Sequence, residues 1–390
     1  MPKSRHFLVT AAPAPTFSRI LSRPVRCFSD LHSFTALLGS GSSAVYWACR
    51  GLRLEPRTRI WMPSLNCGVE VQAAIDAGLD VGFYRLTEDL SVDEADLTRK
   101  LQERPGIVFV IHYFGFPQPS IERLAEECQR RQCILIEDCA HALFSKHLGR
   151  EVGSCAPIAV FSLRKTLPLA DGGALKVNEE LLRHVRENPF LRPPIGATSH
   201  KAMLAHFKDA ARGLLHRSLA GAIPRQRIFT TNASFEGARD YLSAMSPFSK
   251  RIATTADPAH IVHRRRQNYL ALDQALAGVP GYRKLFAGLP EGVCPLYLPI
   301  WVDRREELMS AMHRQGVETF RFGATPHPII GDALRADSRR LRDNILGLPI
   351  HDEVSEDEIA TVAELLRALL YRHAQRLNDD PGSHRQEVRL

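Results

Sequence analysis

From residue 40 to residue 178 the chain alternates two hydrophobic patterns. Short runs at 60–62, 81–84, 107–112, 134–136, 158–163 and 174–177 are apolar at almost every position and bounded by turn residues, which predicts strands covered on both faces. Between them, longer stretches at 43–52, 68–77, 93–103 and 121–132 read as helices. Such alternation predicts an α/β fold with a mostly parallel central sheet covered by helices. Further on, 260–276 reads as a long helix linking two domains, 297–302 as a strand and 304–315 as a helix. Residues 344–351 precede a last helix at 355–373. A basic amphipathic run, 199–222, is expected to pack on the protein or a partner subunit rather than on a membrane.

Two residues stand where ligands bind in open α/β sheets, beyond the carboxyl ends of strands. Asp138 ends the run 134–136, and Lys165 follows the run 158–163, so the two can meet across one pocket. A structural salt bridge accounts for such a pair equally well on spacing alone. Upstream, Ser40-Gly41-Ser42-Ser43-Ala44 opens a helix. A helix start with glycine and hydroxyl donors can hold a phosphate, or the serines can simply cap the helix. Gly39-x-Gly41-x-x-Ala44 also fits a dinucleotide fingerprint. No clear strand precedes it, however, and no acid closes a strand about 20 residues later, as ribose recognition requires.

Charge and cysteine content narrow the class. The formal charge of +8 invites a nucleic-acid reading, but the arginines are scattered and no basic-aromatic module is present; attraction to anionic, phosphate-bearing substrates is the milder consequence. The eight cysteines show no zinc-site spacing, so no metal is expected and a reduced, cytoplasmic protein fits. No apolar run reaches the roughly 18 residues that span a bilayer, so no membrane partner is expected. Residues 1–30 form a basic leader, flexible or loosely docked, with only a faint likeness to a transit peptide. Residues 377–390 are polar and expected to be disordered.

The stretch 134–177 carries a resemblance. Glu137-Asp138-Cys139-Ala140-His141, Gly153-Ser154, Phe161-Ser162-Leu163-Arg164-Lys165 and the Gly-Gly-Ala-Leu at 172–175 follow in order. Together they resemble the DegT/DnrJ/EryC1/StrS family of pyridoxal-phosphate (PLP) sugar aminotransferases. The resemblance implies fold type I, with a large PLP-binding domain at 31–250 and a smaller α+β domain at 251–376. It implies that Lys165 bonds the cofactor and carries the proton, and that Asp138 sits against the pyridine nitrogen. His141 would meet the phenolic oxygen and Ala140 one ring face, while Gly41, Ser42, Ser43 and Ser162 hold the phosphate. Many relatives place an aromatic residue over the ring where this chain has Cys67, which is expected to pack rather than react. For His112, within His112-Tyr113-Phe114-Gly115, a structural and a functional role stand level.

What the resemblance implies about function is amination of a keto-sugar, often nucleotide-linked, by an amino acid such as glutamate, in a homodimer. Transamination of a cyclitol or amino acid, and a non-enzymatic binding relative, are the alternatives. The family's cross-subunit Asn and Arg find no counterpart near Tyr241-Leu242-Ser243-Ala244.

Overall fold

The computed structural model describes residues 9–13, 31, 33–52, 55, 57–185, 240–323 and 326–379. The run 199–222, most of the basic leader and the residues after 379 lie outside the described residues.

The six apolar runs, joined by a three-residue strand at 36–38 where the sequence showed no clear strand, form one seven-stranded sheet. Its strands are β1 (Ala36–Leu38), β2 (Arg59–Pro63), β3 (Asp80–Tyr84), β4 (Ile107–Ile111), β5 (Ile134–Asp138), β6 (Ile158–Ser162) and β7 (Gly173–Val177), in the order β1-β7-β6-β5-β4-β2-β3. The four pairings from β3 through to β6 are parallel, and β7 runs antiparallel to both its neighbours. β4 and β6 are buried at every position, as expected of strands covered on both faces. The parallel strands all end at one edge, which carries Ser64, His112, Asp138 and Ser162.

The covering helices begin and end as their capping residues dictate. Asp93 caps the helix Glu94–Glu103 by accepting from the Asp96 amide, and Asp257 caps Pro258–Ala275 by accepting from His260. A second, antiparallel sheet, β8 (Arg283–Lys284), β9 (Leu298–Trp301) and β10 (Ile345–Leu348), packs against the helices Pro258–Ala275 and Arg305–Arg314, and both of these pack on Glu356–Asp379.

Several details depart from the sequence reading. Helices Pro247–Ala253 and Asp332–Asn344 and a small hairpin at 146–151 were not foreseen, being short or strongly polar. The last helix runs to Asp379, so the polar tail begins as helix. Within the leader, the Val9 amide donates to the Gly316 carbonyl and its own carbonyl accepts from Glu318, which docks that residue on the smaller sheet's side. The triplet at 264–266 does not form a solvated face. Arg264 holds the Val354 carbonyl and Glu356, Arg266 holds two carbonyls at 290 and 293, and Arg265 is 1% exposed.

Candidate active site

At the end of β5 alternate side chains leave by opposite faces, and the acidic pair divides its work accordingly. Glu137 turns into the protein. Its Oε1 accepts the amides of Cys155 and Ala156 at 2.9 and 2.7 Å, and its Oε2 accepts the Gly153 amide and His112 Nε2, both at 3.0 Å. The Gln118 amide donates to His112 Nδ1 at 3.0 Å, so the ring proton sits on Nε2. His112 is thus a structural histidine. His112, Glu137 and Cys139 have ligand atoms within 4.8 Å of one another, but these donors already occupy the carboxylate and both ring nitrogens.

Burial pushes the Glu137 carboxyl upward, and the His112 and amide bonds outweigh it, so the group is held below its ordinary value. A lowered value contributes stability above the ordinary glutamate range, lost as pH falls through the folded-state value. Glu137→Gln, which leaves amides without a charged acceptor, should lower unfolding free energy by about 3 kcal/mol at pH 7. Urea titrations should show the gap to the parent closing as the medium is made acidic; a constant gap would assign the loss to packing.

Asp138 turns the other way, to the sheet edge. It is 7% exposed and accepts the Ala140 amide at 2.8 Å. Burial raises its carboxyl, and Lys165, on the short helix Leu163–Thr166 after β6, pulls it back down. The two residues that the sequence set on different strands therefore face each other electrostatically. His141 completes the group. Its Nδ1 accepts the Phe114 amide at 3.2 Å, which leaves the proton on Nε2, and that atom is buried with no hydrogen-bond partner among the described residues. Burial first, and Lys165 second, hold the ring neutral. An unmet buried donor costs about 1–3 kcal/mol, so Nε2–H is primed for an acceptor.

Beside them lies the first turn of the helix Gly41–Gly51, whose leading amides have no partner within the helix. Ser40 is the capping residue, accepting the Ser43 amide at 3.1 Å. A side chain at Gly41 would meet Ser162 Cβ at 3.1 Å, and one at Gly173 would meet the Ser40 carbonyl oxygen at 1.9 Å. Two glycines thus let the helix start, β6 and β7 converge. Of the two serines in the expected phosphate set, Ser42 places its Oγ 3.0 Å from Ser40 Oγ, and Ser43 is the more enclosed. It is fully buried and its hydroxyl points inward, 2.8 Å from Ser40 Oγ and 3.4 Å from the Asp240 carbonyl. Gly41 and Ser162 are adjacent at the helix start. The dinucleotide alternative fails here, because the preceding β1 is an antiparallel edge strand.

Cys67 stands half-buried over the same group. Burial, with Glu70 second, pushes its thiol up to about 12, and the Gly323 amide donates to its sulfur. Such a thiol is not a nucleophile at neutral pH. Iodoacetamide at pH 8 should label Cys67 roughly a hundredfold more slowly than a free thiol, read by peptide mass spectrometry; fast labelling would contradict that protonation state. Glu70 and Tyr113 were not singled out from the sequence. Glu70 accepts the Cys67 amide at 2.8 Å and Tyr113 donates to the Leu65 carbonyl at 2.6 Å, fixing the loop that presents the thiol. A glutamate three positions after the start of that turn is a capping-box spacing, which could have revealed Glu70.

Residues 25–188 match the DegT/DnrJ/EryC1/StrS aminotransferase family. The match covers less than half of the chain, and over that span the chain is similar to this family. It is 28% identical over 155 residues to a UDP-4-amino-4,6-dideoxy-N-acetyl-beta-L-altrosamine transaminase of Campylobacter jejuni, a match covering 38% of this chain and 41% of that protein. A longer match, 24% identical over 356 residues and covering 85% of this chain and 83% of the relative, is to a UDP-N-acetyl-3-dehydro-alpha-D-glucosamine 3-aminotransferase of Acidithiobacillus ferrooxidans. Among solved structures, the sugar aminotransferase Spr1654 of Streptococcus pneumoniae in its PMP form superposes with a TM-score of 0.67 at 15% identity, covering 95% of this chain and all of that one. The shared fold is PLP-dependent transferase fold type I.

The aminotransferases of the DegT/DnrJ/EryC1/StrS family are PLP-dependent, and the residues present fit that group. His141 Nε2 is a buried donor with no partner among the described residues, a buried carboxylate at Asp138 calls for a cation, and a glycine-lined helix start adjoins Ser162.

Proposed function

We propose that this protein is a PLP-dependent aminotransferase converting a keto-sugar, nucleotide-linked, to an amino-sugar with glutamate or a similar amino acid as donor. The observation that carries the reading is the convergence of Lys165, Asp138 and the unsatisfied His141 Nε2 on one sheet edge beside a helix start. The relatives named above, which act on UDP-linked amino sugars, support the acceptor class. The reading includes a homodimer working in the cytoplasm. Among the described residues no helix is long and apolar enough to cross a membrane.

Each residue has a defined task. The free amides of Gly41 and Ser42 and the Ser162 hydroxyl bind the phosphate, assisted by the positive end of the helix. Asp138 would hold a proton on the ring nitrogen, and His141 Nε2–H would donate to the phenolic oxygen. Ala140 would adjoin one face of the ring, and Cys67 stands where a ring-covering residue would be. When bound, PLP supplies an electron sink that stabilises negative charge at the substrate carbon. Lys165 would hold the cofactor, and its amine would carry the proton that leaves the substrate carbon.

Purified protein incubated with PLP should turn yellow, and borohydride should then fix a pyridoxyl group on the peptide carrying Lys165. Mass spectrometry decides it: label on a different lysine, or none, overturns the cofactor assignment. Mixtures of candidate nucleotide keto-sugars and glutamate, read for amination by mass, test the substrate class.

A further inference from the structure

The sequence offers no hint that the residue holding Lys165 in place lies a hundred positions away. Lys165 is carried on a helix of only four residues, Leu163–Thr166. A single turn has little stability of its own, and its last carbonyls have no helical partner. One of them, the Thr166 carbonyl, accepts from Arg265 Nη2 at 3.1 Å. The same guanidinium reaches the Leu296 carbonyl through Nη1 at 3.1 Å and the Pro295 carbonyl at 3.4 Å, where the chain enters β9. Its Nε lies 3.9 Å from Asp352 Oδ1, at ion-pair distance but beyond a hydrogen bond. One turn further, Asn268 donates to the carbonyls of His351 and Val354 at 3.1 Å each.

A guanidinium at 1% exposure is costly to bury, and a core helix position is ordinarily filled by an apolar side chain. Here the guanidinium donates to carbonyls of two segments, at 166 and 295–296, and stands at ion-pair distance from a third at Asp352. We infer that Arg265 is a positioning residue for the proposed reaction: it clamps the Lys165 turn to the start of β9 and to the 350–354 segment, so that the aim of the Lys165 amine is set by the second domain. Its planar fork is what the geometry needs, because a lysine ammonium cannot span carbonyls on two sides at once. The inference rests on Lys165 being the cofactor lysine.

Arg265→Met removes charge and fork at similar volume, and Arg265→Lys keeps only the charge. Both should retain PLP. Turnover per bound PLP should fall roughly 10- to 100-fold, as expected when a reacting group is displaced by about 1 Å, while the KM for the amino donor changes less. The pH at which the visible band of the loaded protein shifts should move in both variants, since that band reports the surroundings of Lys165. A lower melting temperature with unchanged turnover per PLP and an unchanged band titration would reduce Arg265 to a stabilising residue and overturn the inference. Hydrogen exchange on the parent gives an independent reading if either variant fails to fold. Backbone amides in 163–169 and 296–298 should open together, and separate opening would equally overturn the clamp. If the parent itself neither binds PLP nor aminates, it is the functional reading that fails, not the clamp.

Discussion

Lys165→Ala should abolish amination while leaving PLP retention largely intact. Retention follows from contacts that do not involve the amine: the first-turn amides of the helix Gly41–Gly51, the Ser162 hydroxyl and the Asp138 carboxylate. The loss of turnover follows from what else surrounds the pocket. In the proposed arrangement Asp138 would be committed to the ring nitrogen, while His141 uses Nδ1 to accept the Phe114 amide and carries its proton on Nε2, and Cys67 is held protonated with its thiol near 12. None of these three groups is free to take up and return a proton at neutral pH. Removing a positioned base commonly costs 10²–10⁴-fold, and loss of the covalent anchor adds to it, so a fall of at least about 10³-fold is expected. The measurement is turnover per bound PLP with a nucleotide keto-sugar and glutamate, beside a titration of PLP binding. Activity within tenfold of the parent would remove Lys165 from the mechanism.

How much of this was legible in the sequence depends on the range of the interaction. Six of the seven central strands were readable because burial on both faces forces near-continuous apolar runs, whereas the edge strand Ala36–Leu38 is too short to show one. Asp138 and Lys165 were readable because both follow such runs directly. The division of labour between Glu137 and Asp138 was not, since it depends on which face each side chain takes and which loop amides wait there. Ser43 reads as a phosphate donor in sequence, yet the helix turns it inward to Ser40 and Asp240. Arg265 reads as one member of a charge run, and only the packing of the helix Pro258–Ala275 shows that it is buried against the Lys165 turn. Local pattern determines elements; contacts between distant segments determine which polar residues do chemistry.

Asp138→Asn should cut turnover on the order of 10³-fold while PLP still binds and the fold is unchanged. The substitution isolates charge from shape. Asparagine has the same size, and its Oδ1 can still accept the Ala140 amide that Asp138 accepts at 2.8 Å. What it cannot do is hold a proton on the ring nitrogen, because a neutral amide offers that cation no counter-charge. Without the protonated nitrogen the ring is a poorer acceptor of electrons from the substrate carbon. The pH dependence supplies a second signature. Burial raises the Asp138 carboxyl from its ordinary 3.8 and Lys165 opposes the rise. Activity that needs the ionised carboxylate should therefore be complete well above that raised value and fall away as pH drops through it. The parent should show this acidic limb in kcat, and the Asn variant, with nothing to titrate there, should lose it along with most of its rate. Circular dichroism and PLP titration establish that the variant is folded and loaded. A variant with near-parental kcat and the same acidic limb would mean that Asp138 only braces the loop at Ala140, and that the ring nitrogen is held by another group.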